Sequence, residues 1–176
     1  MNICAIVPIK HNSERVPGKN YRDFNGQPLF HVILKTLLQC KDISKIVVDT
    51  NSSVVKDSIN THFCLDKIQI YDRPLHLHSG DTPTNVLLEN VITELKLDNQ
   101  FDIFLQTHAT NPLLTVNTIQ DCISTFLRVK KEEGYDCLFT VKKHQTRLYH
   151  YGDGNGDGNG DGNGDGNGDG NGDGNG

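Results

Sequence analysis

Apolar positions along this chain follow two alternating rhythms. Short runs rich in β-branched residues alternate with longer stretches in which apolar side chains recur every three or four positions. Residues 3–9 (ICAIVPI) read as a buried first strand. A polar loop follows over 10–25, and Pro28 opens a helical pattern carrying Leu29, Phe30, Val32, Ile33 and Leu37. Proline suits a first helical turn, where its missing N–H has no intrahelical partner. Residues 45–50 (KIVVDT) predict a second strand, 53–60 a short helix, and 67–71 (KIQIY) a third strand. After a loop over 73–80, Thr82 reads as an N-cap with Pro83 in the first helical position. The helix behind it keeps Val86, Leu87, Val91, Ile92 and Leu95 on one broad face. Residues 101–105 (FDIFL) give the next strand, which runs into a polar loop over 106–112. Thr115 or Asn117 caps a helix to about residue 131, with Ile119, Ile123, Phe126 and Leu127 inward, and residues 137–141 (CLFTV) predict a last strand.

Strands alternating with helices of this length predict an α/β fold, a largely parallel sheet with helices on both faces. Ligands of such sheets bind outside the carboxyl ends of the strands. The loops that follow Ile9, Tyr71 and Leu105 are therefore where chemistry is expected.

Composition divides the chain. From Gly152 onward it is a strict Gly-Asp-Gly-Asn repeat with no apolar side chain, so nothing offsets the entropy of ordering it. We expect a foldable unit over 1–151 and a disordered tail over 152–176. The tail holds 13 of the 17 glycines and six aspartates, so the formal charge of −5 belongs to it and residues 1–151 come to +1. That near-neutral body gives no reason to expect a nucleic-acid or membrane partner. Asp153, Asn155, Asp157 and Gly158 match the opening of an EF-hand loop, but the bidentate glutamate due at its twelfth position is replaced by Gly164. The five cysteines show no metal-finger or CxxC spacing, and no apolar run is long enough to span a bilayer. With no recognisable signal peptide, a reduced, cytoplasmic protein is expected.

The first polar loop is the chemically suggestive one. Lys10, Arg15 and Lys19 place three cations within ten residues directly after a strand, where they can form charge-assisted hydrogen bonds to phosphate. Pro17 and Gly18 let the chain fold back so that backbone N–H groups also point inward. A solvated basic loop has the same composition, and neither the GxxxxGK[ST] nor the GxGxxG phosphate pattern is present. His76 and His78 have no third metal ligand nearby and read as part of a polar loop. Asp49 ends a strand and suits either a ligand or a helix cap. Lys142, Lys143 and His144 read as a solvated strand end.

Taken together, VPIKHNSERVPGKNYRDFNGQPLF resembles the opening of the CMP-sugar synthetases, the cytidylyltransferases that activate sialic acid and, more distantly, the eight-carbon acid KDO. Lys19-Asn20 looks like the acylneuraminate branch, since the KDO enzymes usually follow that lysine with proline. The resemblance continues through IVVDTN (46–51), Asp72-Arg73-Pro74, Gly80-Asp81-Thr82, ATNPL (109–113) and LFTVKKHQTRL (138–148).

The resemblance implies the Rossmann-like three-layer α/β/α fold of nucleotide-diphospho-sugar transferases. It further implies transfer of CMP from CTP to a sialic-acid-like 2-keto sugar acid, whose anomeric hydroxyl attacks the α-phosphate and releases pyrophosphate with Mg²⁺ bridging the phosphates. It assigns Lys10, Asn12, Ser13, Arg15, Lys19, Asn20, Arg73, Asp81 and Thr82 to the nucleotide, with Lys10 and Lys19 also acting on the reacting phosphates. Lys10 stands where the family usually has arginine and keeps the charge without the bidentate fork. His108, in a position commonly glutamine, and Thr110 are assigned to the sugar acid. Asn51 stands where aspartate is common, and no role is assigned to it.

Family members continue for about half as much chain again, with an Asp-x-Asp metal element and the contacts of a homodimer. The simplest expectation is that an expanded repeat replaced that part or shifted it out of frame, so the sheet is expected to be truncated at its C-terminal end and turnover to be weak. The alternatives are a KDO-type enzyme or an inactive nucleotide-binding remnant. Asp49 and Asp81 are the acids left near strand ends for Mg²⁺, and no protein metal ligand is assigned.

Overall fold

The computed structural model describes residues 1–11, 13 and 16–141. The chain divides into Met1–Leu138 and Phe139–Gly176, and the fold below is that of the first unit. The expectations for the 152–176 tail and for Lys142, Lys143 and His144 lie outside the described residues.

Four parallel strands form the sheet: β1 (Ile3–Ile9), β2 (Ile43–Thr50), β3 (Ile68–Asp72) and β4 (Ile103–Gln106). Their order is β3-β2-β1-β4. The intervening helices are α1 (Leu29–Gln39), α2 (Ser53–His62) and α3 (Thr84–Glu94), and α4 (Val116–Glu133) follows β4. Alternate side chains of a strand face opposite sides of its sheet. Ile3, Ala5, Val7 and Ile9 of β1 pack with Phe30 and Leu34 of α1, Val55 and Ile59 of α2, and Ile119 and Ile123 of α4. Cys4, Ile6 and Val47 face the other way, onto Val91 of α3 and Leu97. Because both faces are covered, β1 is apolar without alternation, as strands of parallel sheets are. This is the α/β/α sandwich that the sequence implied.

The chain steps from β1 through β2 to β3 with α1 and α2 on one face. It then crosses with α3 to the other face and lays β4 on the free side of β1. The strand order therefore reverses between β1 and β4.

Two details differ from expectation. Pro83 and Pro28 are N-caps rather than first helical residues, each in extended conformation with ψ near 140°. The Pro83 carbonyl accepts the first helical bonds, from the N–H groups of Val86 and Leu87. Thr82 therefore lies outside the helix, and its hydroxyl is 3.5 Å from the Leu77 carbonyl. Residues 137–141 form no strand, and Phe139 and Val141 are exposed. A strand is completed by a neighbour's hydrogen bonds, and no described strand pairs with this run. Where side-chain chemistry decides the cap, the reading holds: Thr115 accepts from the Thr118 N–H at the start of α4.

Candidate nucleotide site

A cleft of about 430 Å³ opens at the carboxyl ends of β1 and β4. Open α/β sheets bind ligands at such a reversal of strand order, because adjacent loops part there. Pro8 and Lys10 reach the cleft from the end of β1, and Lys19 and Asn20 from the loop that follows. The segment after β3 supplies Arg73, Ser79, Gly80 and Thr82, α3 supplies Thr84 and Leu87, and the loop after β4 supplies His108, Ala109 and Thr110.

The first loop reaches the cleft because it turns sharply. The Lys19 N–H bonds the Val16 carbonyl at 3.1 Å across Pro17 and Gly18. Gly18 has φ +64°, and proline followed by a positive-φ residue is the signature of a type II turn. A Cβ on Gly18 would also lie 2.7 Å from the Tyr21 ring, so only glycine fits. The turn delivers Lys19 and Asn20 to a 3₁₀ helix over Lys19–Tyr21. Asn20 is buried there and donates from Nδ2 to the Lys10 carbonyl at 2.9 Å. On the other side, the His11 N–H donates to Asn51 Oδ1 at 2.8 Å, and His11 Nδ1 lies 2.8 Å from Ser52 Oγ. Asn51, unassigned from the sequence, thus holds the loop to the end of β2.

Arg73 is only partly available to a ligand. Its Nε lies 3.0 and 3.1 Å from the two carboxylate oxygens of Asp49, and its Nη2 lies 2.8 Å from Oδ2 and 3.2 Å from the Asp49 carbonyl. Both side chains are buried. Burial holds the Asp49 pKa above the usual carboxylate range, and the guanidinium beside it, helped by His78, only partly opposes that rise. The expectation that Asp49 serves as a ligand or a cap is corrected. It is the partner of Arg73, and Ser52 caps α2.

The sequence-derived residues sort as follows. Lys10, Lys19, Asn20, Arg73, Thr82, His108 and Thr110 share the cleft. Asp81 is exposed and outside the lining, and Ser13 is buried and also outside it. Asn12 and Arg15 lie outside the described residues. Ser79 and Thr84 join the lining although neither was singled out; each is a hydroxyl within two residues of the Gly80-Asp81-Thr82 motif, which is a weak signal. His78 bonds the Arg73 carbonyl at 2.9 Å, in keeping with its reading as a loop residue.

Among the described residues no carboxylate lines the cleft, and no three metal-ligating side chains cluster. Neither Asp49 nor Asp81 is among the residues lining the cleft. The charges facing the cleft are those of Lys10 and Lys19, neither of which forms an ion pair among the described residues, and the remaining edge of Arg73.

Residues 4–151 match the family model described as cytidylyltransferase. The chain belongs to that family. It is 30% identical over 129 residues to the CMP-N,N'-diacetyllegionaminic acid synthase of Legionella pneumophila, covering 70% of this chain and 52% of that protein. It is 25% identical over 135 residues to the 8-amino-3,8-dideoxy-manno-octulosonate cytidylyltransferase of Shewanella sediminis, covering 76% and 51%. A pseudaminic acid cytidylyltransferase of Campylobacter jejuni is 26% identical over 133 residues, covering 72% and 53%. The chain thus spans about half the length of the curated relatives it matches. Among solved structures, a CMP:2-keto-3-deoxy-manno-octonic acid synthetase complexed with CTP superposes with a TM-score of 0.59 at 18% identity, covering 73% of this chain and 48% of that one. That likeness shows the cytidylyltransferase fold. Among the described residues no helix is long and apolar enough to cross a membrane.

Proposed function

We propose that the cleft binds CTP and that the protein is a cytidylyltransferase acting on a 2-keto sugar acid. One observation carries the reading: two lysines of the first loop face a single cleft at the strand-order reversal, and no carboxylate among the described residues lines it. Such a wall favours a polyanion, and charge-assisted bonds to phosphate are the strong ones available. In the proposed reaction the anomeric hydroxyl oxygen attacks the α-phosphorus. The bond from that phosphorus to the bridging oxygen breaks, pyrophosphate leaves, and the hydroxyl proton passes to solvent. Lys10 and Lys19 neutralise charge on the phosphates as it shifts towards the leaving group. His108 and Thr110, from the loop after β4, are the residues assigned to the sugar acid in this reading, and the cleft also carries the hydroxyls of Ser79, Thr82 and Thr84.

The activities named for the relatives support a sugar acid as the second substrate. Within that class we favour a sialic-acid-like nine-carbon acid, on the Lys19-Asn20 resemblance. Mg²⁺ is proposed to arrive with the triphosphate, held by phosphate oxygens rather than by the cleft. The absence of lining carboxylates among the described residues also favours a second reading, in which the chain holds the nucleotide without turning it over.

Calorimetric titration of CTP into the wild type and into Lys19→Ala tests the binding step. One charge-assisted contact contributes about 1.5 kcal/mol or more, so the variant is expected to bind roughly tenfold more weakly. Equal binding by both proteins, or none by either, contradicts the assignment. Pyrophosphate release with N-acetylneuraminate or the octulosonic acid then separates a transferase from a protein that only holds CTP.

A further inference from the structure

We infer that Asn51 is a positioning residue for Lys10: together with Asn20 it clamps the Lys10–His11 peptide and so fixes the point from which Lys10 reaches a bound phosphate. This rests on the proposed reading of the cleft. The two hydrogen bonds fall on one peptide group. Its carbonyl accepts from Asn20 Nδ2 at 2.9 Å, and its N–H donates to Asn51 Oδ1 at 2.8 Å. The Lys10–His11 peptide is trans, so these two groups point to opposite sides. A peptide held at one end alone can still swing as the flanking ψ and φ counter-rotate. Held at both ends, it cannot.

The two anchors come from different parts of the fold. Asn20 belongs to the 3₁₀ helix beyond the loop, whereas Asn51 follows directly on β2. Next to Asn51, Ser52 is fully buried and receives the Val55 N–H as the N-cap of α2, so its hydroxyl is fixed when it meets His11 Nδ1. The His11 ring stacks on Tyr21 with centroids 5.6 Å apart. His11 is therefore held at its N–H and on its ring, and the residue before it carries the cleft lysine. A lysine is a point charge on a flexible stem, and its placement depends on how firmly its Cα is held. Donors held in position before the ligand arrives need no reorganisation when charge develops. Asn51 itself does not line the cleft, so its influence on a ligand passes through the loop.

The test has an arm that needs no ligand and an arm that reads phosphate. Amide exchange of His11 in the full chain is expected to slow little or not at all between wild type and Asn51→Asp, which keeps the acceptor oxygen, and to accelerate at least tenfold in Asn51→Ala. Inorganic tripolyphosphate is the second probe, because it presents phosphates without the base. Asn51→Ala is expected to weaken its binding severalfold in the wild-type background and not at all in a Lys10→Ala background, the non-additive result for residues acting as one unit. Unchanged His11 exchange in Asn51→Ala overturns the clamp. Equal weakening in both backgrounds shows that Asn51 acts independently of Lys10 and overturns the inference. A wild type that binds tripolyphosphate but not CTP overturns the cytidine reading alone, and one that binds neither overturns both.

Discussion

At the scale of single residues, the densest electrostatic feature is the Asp49–Arg73 pair, with a 2.8 Å contact and both side chains at least 97% buried. Taking two charges out of water is costly, and four donor contacts from one guanidinium to one aspartate are what offset it. Removing one partner leaves the other buried and unpaired. Asp49→Ala is therefore expected to destabilise the fold by about 3–5 kcal/mol, read as a lower urea midpoint. A loss below about 1 kcal/mol would show that Arg73 finds water or another acceptor. Arg73 was legible as a motif residue, but its engagement was not, because the partner lies 24 residues away. Only the β2–β3 register, with Asp49 beside Tyr71, brings the two together. Asn51 escaped for a similar reason. Its use is a hydrogen bond to a backbone N–H 40 residues earlier, which no spacing reveals.

At the scale of elements, the hydrophobic rhythm found the four strands and four α-helices of the sheet unit but not its short 3₁₀ turns, and the misses have physical causes. The reading of α1 took the apolar residues as its inward face, yet His31 is buried beside Phe30, Ile33, Leu34 and Leu37. It packs edge-on against Phe63, 4.8 Å between centroids, and its Nε2 lies 2.9 Å from Ser58 Oγ on α2. Burial, with smaller contributions from His62 and Lys35, lowers its pKa to about 4. In the unfolded chain the imidazole titrates near its ordinary value of about 6.5. Between those values the unfolded state binds the extra proton, so stability is complete above about pH 6.5 and is lost as pH falls towards 4. The full loss is roughly 3 kcal/mol. Urea midpoints measured from pH 7 to 4.5 are expected to fall more steeply for the wild type than for His31→Leu, whereas parallel profiles would contradict the assignment. The same scale explains residues 137–141: a β-branched run predicts a strand, but a strand is a relation between neighbours rather than a property of a segment.

At the scale of the whole molecule, the β/α alternation made the parallel sheet and the ligand-bearing loops legible, because both follow from general rules of strand connection. Which loops meet was not legible. That depends on the order β3-β2-β1-β4, which puts the ends of β1 and β4 side by side and folds the segment from Arg73 to Thr84 over them. The motif residues of three separate loops converge only through that order. A second, smaller groove of about 250 Å³ lies beside α3, lined by Glu89, Asn90 and Thr93, and provides an internal control. The decisive measurement is a titration of CTP into the full chain followed by amide chemical shifts. Perturbations are expected to saturate together at Lys10, Lys19, Asn20, Thr82, His108 and Thr110, with Glu89, Asn90 and Thr93 unmoved. Shifts centred on the α3 groove, or none at the cleft at millimolar CTP, would contradict the assignment of the cleft to the nucleotide.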